Sequence, residues 1–212
     1  MTKKNQPTQY YEFSNDYTRG GPPGWELLNY DHLQADGGKL NAKVGWPDGY
    51  LVLPRFPYRV PDYVEPPRFV IDKKLGRPPR DIECIDGFFF VSAGMKQVFE
   101  SLDPDACEFR RCETILKDGE PGPETWLCSI IRVFVGAVDV EASEYLIAYT
   151  SPSGGPTFAQ NPKTKLHFKP DMIGQAHLFR IGEIGSTVFC DQALKEACKA
   201  AGVKGAYFPP CQ

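Results

Sequence analysis

FFFVSAGMKQVFESLDPD, residues 88–105, carries two hydrophobic periods in eighteen residues, and the switch between them decides the fold class. Phe88-Phe89-Phe90-Val91 is bulky and β-prone. Ser92 then offers a side-chain oxygen suited to capping a helix. Met95, Val98, Phe99 and Leu102 recur at i, i+3, i+4 and i+7, which lines one face of an amphipathic helix. Asp103-Pro104-Asp105 ends it. A strand that turns directly into a short helix predicts helices lying on a sheet surface.

The same order returns ninety-nine residues later, in VFCDQALKEACKAAGVKGAYF, residues 188–208. Phe90-Val91-Ser92 matches Phe189-Cys190-Asp191, and Leu194, Ala197, Cys198 and Ala201 repeat the helical stripe. Gly202 and Gly205 bracket the exit, and Ala206-Tyr207-Phe208 returns as a strand. Two related strand–helix–strand units are one reading; chance likeness between two generic units is the other.

Between and before these units the elements are shorter. Trp25 to Leu33 is a short strand or a single helical turn, and Gly49 to Leu53 is a strand stopped by Pro54. Prolines at 54, 57, 61, 66 and 67 exclude a central strand and favour an extended edge or covering segment. Phe69-Val70-Ile71 is a short strand, and Gly76-Arg77-Pro78-Pro79 is a linker or a surface loop. Glu108 to Leu116 contains a strand. Trp126 to Val135, the longest apolar run, is read as one strand buried on both faces for much of its length. Tyr145 to Tyr149 is another, with a turn at 151–156, and Leu166-His167-Phe168 and Leu178 to Ile181 are expected to pair as short strands. The fold class is therefore α+β: a mixed or mostly antiparallel sheet with a few short amphipathic helices. Residues 1–80 form a Pro/Gly-rich, β-containing region, either part of the same globule or beside it, and residues 81–212 an α+β domain.

Composition narrows the class further. No apolar run is long enough to span a bilayer, and no apolar stretch follows Lys3 and Lys4 as a secretory signal requires. Seven cysteines cannot all pair within one chain, and several sit in apolar runs, so a reducing, cytoplasmic compartment is the simpler expectation. An export route without such a signal stays open. Charge is uneven: residues 81–144 carry five basic and fourteen acidic groups, whereas the flanking thirds are each slightly basic. That middle third argues against direct nucleic-acid binding. It suits a basic protein partner, and the plainer alternative is a solvated face that aids solubility.

Chemistry for turnover is sparse. His32, His167 and His177 lack a ligand spacing, and Cys107 with Cys112 lacks the spacing of a zinc knuckle. Ser151 to Gly155 is glycine-rich without the Lys-Ser/Thr of a phosphate loop. Paired carboxylates, Glu83 with Asp86 or Asp103 with Asp105 and Glu108, could serve acid–base work or hold Mg²⁺, an enzyme with a carboxylate or histidine site being the alternative reading, but such residues are more often plain surface. We expect no catalytic residues, no metal and no cofactor.

The two best-formed units resemble a bacterial immunity-protein family of polymorphic-toxin loci, first catalogued as a domain of unknown function and typified by myxobacterial proteins. The likeness runs over about residues 85–210 and is most specific over the last thirty, from Asp191 and its helix to the aromatic strand. It implies a non-enzymatic protein that binds and neutralises a toxin encoded beside it, with no catalytic residues to carry over. A toxin that is a nuclease or nucleic-acid deaminase has a basic cleft, which an acidic inhibitor surface would mimic. The acidic candidates are Asp103, Asp105, Glu108, Glu113, Asp118, Glu120 and Glu124. The rival surface is the Pro- and Tyr-rich segment, with Phe56, Tyr58, Arg59 and Tyr63 as anchors. A homodimer stays open.

Overall fold

The computed structural model describes residues 9–29, 34–35, 38–39, 59–60, 63–85, 88–150, 156–159, 164–184 and 187–211. In chain order the strands begin with β1 (Tyr10–Asn15), β2 (Trp25–Leu27), β3 (Gln34–Ala35), β4 (Gly38–Lys39), β5 (Arg68–Ile71), β6 (Ile82–Ile85) and β7 (Phe88–Ser92). Helix α1 (Ala93–Leu102) and a 3-10 turn at Pro104–Ala106 lead to β8 (Cys107–Leu116), β9 (Thr125–Ile130), β10 (Val133–Phe134), β11 (Leu146–Thr150) and β12 (Pro156–Ala159). A one-turn helix, α2 (Pro170–Ile173), precedes β13 (Leu178–Ile181), β14 (Val188–Asp191), α3 (Gln192–Ala200) and β15 (Ala206–Tyr207).

Two sheets organise these elements: a six-stranded one in the order β2-β5-β8-β9-β7-β6 and a five-stranded one in the order β10-β13-β14-β1-β15. Strands β3 with β4 and β11 with β12 form separate two-stranded pairs. Only β5 with β8 and β10 with β13 run parallel among the paired strands. The class is the expected one, α+β with mixed, mostly antiparallel sheets.

The continuous apolar runs exist because both faces of each sheet are covered. In β7, Phe89 and Val91 point to a central core, while Phe88 and Phe90 point to an outer one around Trp25, Phe69 and Leu127. In β14, Val188 and Cys190 share the central core, while Phe189 faces a third cluster with Tyr10, Phe168 and Phe179. The period of two that a strand imposes is hidden in the sequence because every position is apolar.

Both caps form as read. Ser92 Oγ accepts the Met95 N–H at 3.2 Å and Asp191 Oδ1 accepts the Leu194 N–H at 3.1 Å, again ninety-nine residues apart. The buried residues of the helices, Met95, Phe99, Leu194 and Cys198, all enter the central core between the sheets. The two units are structurally alike in topology too. The first has the local strand order β6-β7-β9-β8, and the second β13-β14-β1-β15. The strand that closes the second unit, β1, comes from the start of the chain. It pairs antiparallel with β14 and with β15, as β9 does with β7 and β8.

Two expectations change, and two open readings are decided. The apolar run 126–135 is two strands in different sheets, not one. The chain crosses at Ile131-Arg132 because fully buried Arg180 needs acceptors there: Arg180 Nε donates to the Ile130 carbonyl at 2.9 Å, and its N–H donates to the Arg132 carbonyl at 2.8 Å. Leu178 to Ile181 pairs with β14 and β10, not with Leu166–Phe168, which makes only isolated bridges such as Val138 to Phe168. Gly76-Arg77-Pro78-Pro79 is a loop pressed on the N-terminal segment. A Cβ on Gly76 would fall 2.4 Å from the Pro22 carbonyl oxygen, so only glycine allows that approach. Trp25 opens a strand rather than a helical turn. The strand expected at 49–53 and the proline-rich stretch 54–58 lie outside the described residues.

Candidate functional site

Five of the seven acidic candidates, Glu108, Glu113, Asp118, Glu120 and Glu124, lie on one arm, β8, β9 and the turn between them. Cys112, buried, faces the outer core on this arm, and the tip turns at Lys117 to Glu120, where the Gly119 N–H donates to the Leu116 carbonyl at 2.9 Å. The return is held by Gly122 N–H on the Thr114 carbonyl at 2.8 Å and by Thr114 Oγ1 on the Pro123 carbonyl at 2.5 Å. Prolines 121 and 123 stiffen this return.

The seven carboxylates named from the sequence fall into three groups. Asp103 is buried: its carboxylate pairs with Arg132 and accepts the N–H groups of His177 at 2.8 Å and Leu178 at 3.1 Å. It ties the end of α1 to the start of β13 and presents no charge outward. Glu108 and Glu113 are matched by cations. Glu108 pairs with Arg59 and accepts the Val60 N–H at 3.0 Å, and Glu113 accepts Arg68 Nε at 2.9 Å. Asp105, Asp118, Glu120 and Glu124 are exposed and pair with no cation among the described residues. Asp105 stands just before the ten-residue β8, Asp118 and Glu120 lie beyond its far end, about 30 Å away at strand rise, and Glu124 immediately precedes Thr125, the cross-strand partner of Cys112. The set is not one face; its concentrated part is the tip. Lys117, the cation of that tip, is already paired with Asp72.

The rival anchors are divided similarly. Arg59 is exposed and joined to Glu108, so the two candidate surfaces meet at that pair. Tyr63 is buried at 6% exposure in the outer core, and burial pushes its phenol well up, with Cys112 adding and Arg110 opposing. It packs rather than projects. Phe56 and Tyr58 lie outside the described residues.

Groups that resembled an active site are engaged in structure. Glu83, at 1% exposure, takes both guanidinium nitrogens of Arg77 and the Arg80 N–H at 2.9 Å. Its sequence neighbour Asp86 lies outside the described residues. His177 Nδ1 sits 2.8 Å from Asp191 Oδ2, but that carboxylate also caps α3, and the His177 N–H is held by Asp103. All seven cysteines are free, and burial pushes the thiols of Cys112 and Cys198 up to about 12, away from the reactive thiolate. Among the described residues no three His, Cys, Asp or Glu side chains stand together for a metal, and no helix is long and apolar enough to cross a membrane.

Two grooves escape a reading by motif. One, of about 510 Å³, lies along the tip and is walled by Pro66, Ile115, Pro121, Pro123 and Glu124. The other, of about 430 Å³, continues onto the sheet past Trp25, Pro79, Phe90 and Lys204. Pro123 and Glu124 line both. The spaced prolines of 121–123 were the available signal; the lining of the sheet groove alone is assembled from five separate stretches of chain.

Two comparisons bear on what the chain is similar to. No curated protein matches it. A family model described as an immunity protein family matches residues 9–212, which takes in the N-terminal stretch that carries no resemblance of its own. That match spans nearly the whole sequence. The chain therefore belongs to the immunity protein family Imm11, bacterial proteins that neutralise toxins and are not enzymes.

Proposed function

We propose that this protein captures its cognate toxin in the cytoplasm and silences it by covering the active site or locking it in an inactive shape. Capture of that kind needs an interface of about 1,200–2,000 Å². A few desolvated aromatic or arginine anchors would carry most of its energy. The toxin best suited is a nuclease or nucleic-acid deaminase, whose cleft is basic because its substrate is a polyanion. The observation that supports this class is the hairpin tip, where Asp118, Glu120 and Glu124 face solvent while Lys117 is spent on Asp72. An unbalanced acidic tip accelerates encounter with a basic cleft and disfavours nucleic acid itself.

Co-expression of the neighbouring toxin with and without this protein tests the proposal. Survival, together with co-purification of a stable complex, is the expected result. Toxicity unrelieved by a well-folded, abundant protein would overturn it. Replacing Asp118, Glu120 and Glu124 together by the amides should slow association and flatten its salt dependence. Unchanged kinetics would remove the basic cleft from the reading while leaving neutralisation intact.

A further inference from the structure

We propose that the two grooves form one docking channel for an extended segment of the toxin, bearing a central Arg or Lys flanked by carboxylates; this rests on the neutralising role above.

Continuity comes first. Pro123 and Glu124 belong to both grooves, so the tip and the sheet surface make a single path of which Glu124 is the midpoint. Its walls are unusually stiff, because Pro66, Pro78, Pro79, Pro121 and Pro123 each have φ fixed by the ring. A pre-shaped wall loses little freedom when a ligand arrives, which favours affinity.

Charge then selects the occupant. Arg111 lines only the tip groove, Lys204 only the sheet groove, and Glu124 the junction. None of the three side chains has a hydrogen-bond or ion-pair partner among the described residues, and all are exposed. Lys204 is fixed in place through its backbone, whose N–H donates to Asp81 Oδ2 at 2.8 Å, so its ammonium is left for a ligand. Arg80, Asp81 and Glu113 also line the channel but are engaged by Glu83, by Ser92 and the Lys204 N–H, and by Arg68, so the charges left for a ligand read positive, negative, positive along its length. Its complement is negative, positive, negative.

The floor supplies a further reason for an extended peptide. Trp25 is 5% exposed, lines the sheet groove, and its indole N–H finds no acceptor among the described residues. A buried donor left unmatched is costly, and a ligand carbonyl that reached it would remove that cost. An extended backbone brings a carbonyl every residue to match such a donor, and Pro78 and Pro79 beside Trp25 give it an apolar wall. The three acids of the tip steer the segment's cation toward Glu124.

The test is affinity for the neighbouring toxin, made with an inactivating substitution and titrated against the full chain. Glu124→Arg and Lys204→Glu should each weaken binding tenfold or more. Glu141→Arg, the same kind of reversal at an exposed residue that lines neither groove, should change it less than threefold. Thermal melting shows that each variant is folded, and a photo-crosslinking residue at position 124 identifies the toxin segment. A captured segment with a basic residue between acidic ones supports the channel. A complex that forms normally with Glu124→Arg or with Lys204→Glu, or a captured segment without a basic residue, overturns it and leaves neutralisation standing. A wild-type protein that does not bind the toxin overturns both.

Discussion

Cys198 Sγ lies 3.9 Å from Met95 Sδ, at the place where α1 and α3 meet. In the register of the two units, Met95 corresponds to Leu194 and Phe99 to Cys198. The contact thus joins non-equivalent positions, and a flexible thioether with a small thiol fills a crossing where two leucines would leave a gap or a clash. Met95 has no exposed surface and touches a core shared by both sheets. Met95→Ala should destabilise the fold by about 2–5 kcal/mol, and Cys198→Ala by about 1 kcal/mol. Urea denaturation of both single variants and the double variant checks this. Because the side chains touch, the double variant should not be the sum of the singles.

Phe13 makes the corresponding case for β1. It is 2% exposed, and its ring centroid is 5.5 Å from that of Phe89, 5.8 Å from Phe99 and 5.5 Å from Phe208. One side chain from the start of the chain therefore bridges both sheets and α1. Phe13→Ala should cost about 3–5 kcal/mol, and the loss should appear as one earlier cooperative transition. If near-ultraviolet and far-ultraviolet signals instead melt apart, the central core does not couple the two units.

How much of this was legible follows from how local each determinant is. The β7–α1 and β14–α3 joints were readable because the cap, the stripe and the stop all lie within about twenty residues. The place of β1 was not, since its partners stand about 180 residues away and its own pattern carries no sign of them. The break after Ile130 was hidden because it answers to Arg180, not to anything in the run. Composition marked the middle third as acidic, but burial sorted its carboxylates. Asp103 looks like a helix stop in sequence and becomes a buried acceptor only when His177 and Leu178 arrive. Tyr63 sits among prolines that suggest a surface, yet its ring packs with Phe69 and Phe90. The docking channel is the least legible, because its lining is brought together by the sheet.

Thiol chemistry offers a check on the core. Cys112, Cys128, Cys190, Cys198 and Cys211 are buried, whereas Cys84 and Cys107 are partly accessible. Burial pushes the buried thiols up, so almost none of them is thiolate near neutrality. Brief iodoacetamide treatment of the native protein should modify Cys84 and Cys107 first, with the other five protected until urea unfolds the chain. Mass spectrometry counts the adducts. Early modification of Cys190 or Cys198 would mean that α3 opens far below the global transition.

Glu83 sets the expected acid response. Burial pushes its carboxyl up, but the Arg77 hydrogen bonds, the Arg80 N–H and the charges of both arginines outweigh that, and the net shift is downward from 4.5. A carboxyl that titrates lower when folded contributes stability in full above its unfolded pKa. That contribution drains away as pH falls through the folded value. Glu83→Gln keeps the shape and removes the charge, leaving Arg77 half-matched beside β6. The variant should be about 3 kcal/mol less stable near neutrality. The gap to wild type should narrow steadily below a pH of about 4. Urea midpoints for both proteins across that range provide the comparison. A gap that stays constant in acid would mean that the Arg77–Glu83 pair contributes shape and not charge.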